Sequence, residues 1–269
     1  MKIVIKVMKD SICVNMKISN RIFKKTGVIS FGFLMFFCVF LTTCKHDLSA
    51  EIIVGQSIKF HGGIEQWQKV KVLSFDKTTL LYNKKGALEK EIKQKQSFQL
   101  LPELKGFIKD AKLNGIQGYS FNGRVFLNTA NDSVWEITDS LELTSKRNAF
   151  YAAHFVVCQP FKLLDDGVIL EHLGVEDLDG MRVDKIAVRY LDDTETSDQW
   201  TYYFDTKTHK LVANKVKHNN NTSLIKNLTF NDTSGFVFNA HRKSYTLKEN
   251  SEIDFLRAEY FYGNFRVTY

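Results

Sequence analysis

Proline is nearly absent from this chain: Pro102 and Pro160 are the only two in 269 residues. With so few, and with no Gly/Ser-rich stretch, nothing reads as a linker between domains. Cysteine is almost as scarce. Cys13, Cys38 and Cys44 fall in the first 44 residues, and Cys158 stands alone in the rest. A disulfide within residues 45–269 is therefore excluded, whatever the redox state of the compartment. Cys158 ends the apolar run AAHFVVC, which predicts a buried, inert thiol.

Motifs of catalysis are also missing. There is no G-x-S-x-G, no Gly-rich phosphate loop and no H-E-x-x-H. Beyond residue 43 the histidines are His46, His61, His154, His172, His209, His218 and His241. None is paired at the one-, two- or four-residue offset that brings two imidazoles to one metal. They read as surface or structural residues, His61 as one that meets the carbonyls ending a helix. Asp165-Asp166 and Asp192-Asp193 adjoin turns, and neighbours along a strand point apart, so turn chemistry accounts for them better than a catalytic dyad. The expectation is no metal, no cofactor and no enzyme.

One long apolar run is present. From Gly27 to Thr43, seventeen residues (GVISFGFLMFFCVFLTT) carry no charge, after Arg21, Lys24 and Lys25 and before Cys44. A membrane-spanning helix needs about 20 such residues, and the core of a signal peptide about 7–15. The run ends in Leu41-Thr42-Thr43-Cys44, which resembles a bacterial lipobox. The resemblance implies lipidation of Cys44 and removal of residues 1–43. The first fifteen residues overextend such a leader, and MKISNRIFKK from Met16 is the more ordinary start. Lys45 after the cysteine favours outer-membrane delivery, with the facing side open. An uncleaved anchor helix is the alternative.

The leader also accounts for the charge. Residues 1–43 hold seven of the 37 basic side chains and one of the 30 acidic ones, so the formal net of +7 falls to +1 beyond them. No basic excess remains to neutralise phosphates, and nucleic acid is excluded as a partner.

Residues 44–269 suit one domain, expected as a monomer. AEIIVGQSIKFHGG predicts a helix from residue 50, stopped at Gly62-Gly63. Period-two patterning follows, with a strand over 69–82. In YSFNGRVFLN the apolar Tyr119, Phe121, Val125 and Leu127 fall on one strand face, and Trp135 shares one with Ile137. TSKRNAFYAAHFVVC predicts a helix capped by Thr144 or Ser145, with Phe150, Ala153 and Val157 on its packed side and Arg147, Tyr151 and His154 on a polar stripe. Beyond Pro160 come hairpins turning at Asp179-Gly180, near Lys207-Thr208 and at 232–235, then a final strand in IDFLRAEYFYGNFRV. In the second hairpin Trp200, Tyr202 and Phe204 share a face. The fold class is α+β, mainly β: about ten antiparallel strands in a curved sheet or unclosed barrel, packed on an N-terminal and a central helix.

These residues carry a family likeness. His61-Gly62-Gly63 followed by Trp67, the central helix running into QPFKLLDDG, the hairpin from Gly174 to Ile186 and YYFDTKTHKL together resemble a family of Bacteroidota envelope lipoproteins. That family is similar in architecture to the LolA/LolB-type periplasmic lipoprotein carriers. The resemblance spans most of residues 48–267. It implies an open barrel wrapped over helices, with an apolar cavity that in the carriers shelters acyl chains. The ligand-lining candidates are Tyr119, Phe121, Val125, Leu127, Trp135, Phe150, Val157, Trp200, Tyr202 and Phe204. The expected function is binding or shuttling an acyl chain or lipoprotein at the membrane. The alternatives are a structural lipoprotein with a filled core and a hydrolase whose site the motifs do not disclose. Asp132-Ser133-Val134 and Asp139-Ser140-Leu141 also resemble the short O-glycosylation signal of that phylum.

Overall fold

A computed structural model describes residues 49–269, apart from 113–114, 132 and 195–196. The expectations for the leader, Met16, Cys44 and Lys45 lie outside the described residues, as does Asp132.

Ser49 caps the first helix, α1 (Ala50–Phe60), by accepting from the Ile52 N–H at 3.4 Å. Ile53, Val54, Ser57 and Ile58 form its buried side. After the one-turn α2 (Ile64–Trp67), six strands follow: β1 (Val72–Tyr82), β2 (Leu88–Gln99), β3 (Lys105–Lys112), β4 (Gly115–Phe121), β5 (Phe126–Ala130) and β6 (Ser133–Glu136). Then come α3 (Ser140–Val157) and a 3-10 turn (Phe161–Leu164). Seven more strands complete the chain: β7 (Val168–Leu178), β8 (Met181–Tyr190), β9 (Gln199–Asp205), β10 (Leu211–His218), β11 (Asn221–Asn231), β12 (Phe238–Leu247) and β13 (Ile253–Thr268).

All thirteen strands form one antiparallel sheet in the order β6-β5-β4-β3-β2-β1-β13-β12-β11-β10-β9-β8-β7. Two meanders are thus joined where β1 meets β13. The sheet is curved and unclosed, with β6 and β7 as its free edges. The link between those edges is α3, which crosses the inner face. Helix α1 packs against the 3-10 turn, β7 and β9.

Local chemistry explains the hairpins. Asp179 and Gly180 both take positive φ, 55° and 82°, the pair that a two-residue turn needs to match the twist of its strands. Where the sequence suggests one face over 119–128, the chain instead turns back. The Asn122 side-chain oxygen accepts from the N–H groups of Arg124 and Val125 at 3.0 and 2.9 Å, closing a hairpin between β4 and β5. Tyr119 and Phe121 remain on the inner face, but the residue opposite Phe121 is Phe126. Leu127 pairs with Ser120 and points to the outer face, and Val125 lies in the turn.

The central helix also begins earlier than its capping pattern suggests. Asp139 is the N-cap, accepting from the Glu142 N–H at 2.7 Å, so α3 gains the turn over residues 140–143 ahead of Thr144. His154 belongs to its packed side rather than to a polar stripe, 5.5 Å from the Phe98 ring. Burial, with the Lys162 charge adding to it, holds this imidazole down at about 4.

The core fills the inner face beneath one flank of α3. Phe150 is fully buried, with ring centroids 5.2 Å from Phe98, 5.8 Å from Phe121 and 5.6 Å from Phe126. Gly106 makes this possible, since a Cβ there would lie 2.3 Å from the Ser97 carbonyl and 3.2 Å from the Phe98 ring. A second knot stacks Trp67 on Phe161 at 4.3 Å, with Phe236 and Phe238 packed alongside. Cys158 is buried here, and burial pushes its thiol well above the ordinary range.

His61 ties the N-terminal helix into this core. Its Nδ1–H donates to the Val237 carbonyl at 2.5 Å, and its Nε2 accepts from the Leu211 N–H at 3.3 Å. This arrangement requires the neutral ring. Burial first, then the Lys210 charge, outweigh the Val237 bond and lower its pKa to about 4.

Candidate functional site

Between the other flank of α3 and the inner face runs a groove of about 360 Å³. Its helical wall is Ala149, Ala152, Ala153 and Val156, spaced i, i+3, i+4 and i+7 on one side of α3. Its floor is a row of inner-face residues from successive strands: Trp200 on β9, Asn214 and Val216 on β10, Ser223 and Ile225 on β11, Arg242 and Ser244 on β12, Tyr260 on β13 and Lys77 on β1. The register aligns them: Val216 opposes both Trp200 and Ser223, Ile225 opposes Ser244, and Arg242 opposes Tyr260. Because alanines line the helix here, the side chains stop short of the floor. Ala149 and Ala152 are solvent-exposed, so the groove opens to the outside. Its volume lies within the range of about 300–1,000 Å³ common to small-molecule sites.

The floor has an apolar part (Trp200, Val216, Ile225) and a polar part. Arg242 is 3% exposed, and its Nε and Nη2 each donate at 2.7 Å to the side-chain oxygens of Asn227 and Asn214. Asn227 in turn donates to the Leu211 carbonyl at 2.8 Å. Lys77 lies 5.1 and 5.6 Å from the ring centroids of Tyr260 and Tyr262. Burial alone would raise the Tyr262 hydroxyl, but the Lys77 and Arg242 charges and their hydrogen bonds hold it below the ordinary phenol value.

The ten candidate lining residues are distributed over several places. Trp200 lines the groove; Tyr202 and Phe204 share its strand face but are fully buried, the Tyr202 hydroxyl accepting from Gln159 Nε2 at 2.8 Å. Burial raises that hydroxyl well above its usual value. Phe150 and Phe121 belong to the packed aromatic cluster, and Val157 is buried where α3 ends. Tyr119 and Trp135 border a separate polar cavity of about 290 Å³, with Asp110, Asn128, Glu142 and Lys146. Burial, aided by Asp110, pushes Tyr119 up to about 12. Val125 and Leu127 line neither space. Ile137 is buried, while its expected companion Trp135 is half exposed.

What the sequence reading overlooked is the groove's own wall. The alanine spacing on α3 was legible, and so was Arg242, which the alternation Phe238, Ala240, Arg242, Ser244 aims inward. A larger groove of about 510 Å³ lies on the outer face, with sides made of flexible lysine stems (Lys93, Lys95, Lys109) around Phe107. Asp139, within one of the two glycosylation-like runs, serves as a helix cap.

No protein-family model and no curated protein matches the sequence. Solved structures do. A DUF1329 family protein from Desulfovibrio piger aligns over 81% of this chain and 93% of its own at 11% identity, with a TM-score of 0.53. A LolA superfamily protein from Nitrosomonas europaea aligns over 82% and 94% at 9% identity, with a TM-score of 0.51. Identity this low speaks to architecture alone, and the architecture is LolA-like.

Proposed function

We propose that this is a lipid-anchored protein of the cell envelope that binds a hydrophobic ligand, an acyl chain or the acylated end of a lipoprotein, in the groove beside α3. On this reading residues 1–43 are a signal peptide, Cys44 carries the lipid, and residues 44–269 are one monomeric domain at the outer membrane. The observation that carries it is the alanine wall of α3 facing Trp200, Val216 and Ile225 across open space, while the Phe150 flank of the same helix is packed with aromatic rings. A purely structural lipoprotein would be expected to pack that space to the density of about 0.75 found in protein interiors.

A fluorescent acyl probe tests this. Saturable uptake is expected, with energy transfer from tryptophan that falls in Trp200→Phe and persists in Trp135→Phe. A folded protein that takes up no acyl probe, and yields no lipid on extraction, would leave the filled-core alternative standing. For the anchor, Cys44→Ala should accumulate as an unlipidated precursor. Cleavage before residue 44 and acylation in that variant would refute the lipoprotein assignment.

A further inference from the structure

We propose that the ligand of the groove is an anionic amphiphile, whose carboxylate or phosphate head is held by Lys77 and Arg242 while its chain lies along Val156, Val216, Ile225 and Trp200. This rests on the carrier reading and narrows it, because the acyl groups of a lipoprotein anchor carry no charge.

The argument begins with an imbalance. The groove's floor holds two cations, and no carboxylate lines it. Among the described residues neither Lys77 nor Arg242 has an acidic partner; Arg242 donates to two neutral amides and to the Tyr262 hydroxyl. The acids closest in register point the other way. Glu259, next to Tyr260 on β13, faces outward and is held by His241 at 2.9 Å and Lys243 at 3.5 Å. Asp76, next to Lys77 on β1, also faces outward and accepts from Asn264 at 2.7 Å. Asp110 does face inward, but it borders the separate cavity by Tyr119. A guanidinium removed from water and left with neutral acceptors is unfavourable unless something supplies the missing charge. The same two charges, with their hydrogen bonds, hold the Tyr262 hydroxyl below the ordinary phenol value although burial acts in the opposite direction.

Geometry links the charge to the apolar trough. Arg242 and Lys77 lie on strands that flank β13, and the apolar residues continue from Arg242 through β11 and β10 to Trp200 on β9. A ligand with one charged end and a flexible chain matches both parts. A neutral lipid would leave the cations unpaired, and a free anion would leave the trough empty.

Photo-crosslinking with the full-length protein in envelope vesicles tests this. The probes are diazirine-bearing chains of equal length that end in a carboxylate, a phosphate monoester or a primary alcohol, and the labelled peptides are mapped by mass spectrometry. The carboxylate and phosphate probes should label α3 or β10–β11 at concentrations at least tenfold below the alcohol. Lys77→Gln, checked for an unchanged melting temperature, should remove most of that preference. Arg242→Gln should do so too, though the buried site could unfold, which is why Lys77 decides. Equal labelling by all three probes would overturn the inference while leaving the carrier reading intact. Labelling by none would defeat both. Protection by inorganic phosphate as effective as by the long-chain acid would also overturn it, because the chain would then contribute nothing.

Discussion

Phe150 and Ala152 are two residues apart on α3, and they face two very different spaces on opposite sides of the helix. On the Phe150 side, the rings of Phe98, Phe121 and Phe126 pack against it from β2, β4 and β5. On the side of Ala149, Ala152 and Ala153, a groove stands open over β9–β13 and β1. One helix therefore fixes the sheet with aromatic bulk and keeps part of it uncovered with methyl groups. The difference teaches that an open site in this fold is made by withholding volume, and that stability and binding should respond to different substitutions.

Removing bulk on the packed side should have the largest effect. Phe150→Ala empties a fully buried ring site and should destabilise the protein by about 3–5 kcal/mol, measured by urea unfolding. A loss below about 1 kcal/mol would mean that the cluster is not the anchor described here.

Acid should come next. His61 and His154 are held near 4, against an ordinary value of 6.5. The unfolded chain therefore binds these protons first as pH falls. The stabilisation is complete above about pH 6.5 and is lost progressively towards pH 4, on the order of 2–3 kcal/mol for His61 alone. Urea midpoints at pH 7.5 and 4.5 would show it, and His61→Gln, less stable at pH 7.5, should flatten the dependence. A wild-type midpoint that rises on acidification would reverse the sign and contradict the neutral strut.

Adding bulk to the open side should affect binding alone. Ala152 is exposed on the groove wall, so Ala152→Phe should change stability by no more than about 0.5 kcal/mol. It should nevertheless weaken acyl-probe binding at least tenfold, about 1.4 kcal/mol. The smallest effect is expected at Trp135, half exposed beside the other cavity, where Trp135→Phe should leave both properties unchanged.

Much of this architecture was legible in the sequence, and particular residues show where legibility ended. The hairpins at Asp179-Gly180 and 232–235 announce themselves through turn chemistry, and the face shared by Trp200, Tyr202 and Phe204 through period two. β2 does not: LEKEIKQKQ is charged at most positions because its outer end is exposed, so it carries little alternation, and the sheet gains strands beyond the ten that patterning suggests. The Asn122 turn was hidden because Gly123 falls inside an unbroken apolar alternation. The groove was hidden for a different reason. Which helix residue meets which strand depends on the pairing of β1 with β13, nearly two hundred residues apart, and no local pattern encodes that.

The account's central claim is that the space beside α3 holds a ligand rather than remaining empty. Its most direct test is to purify the protein from envelopes without detergent, extract it with organic solvent and quantify lipid by mass spectrometry, alongside Ala152→Phe. About one acyl-chain-bearing molecule per wild-type protein is expected, beyond any covalent lipid, with most of it lost in the variant. Equal lipid in both proteins, or none in either, would contradict the claim.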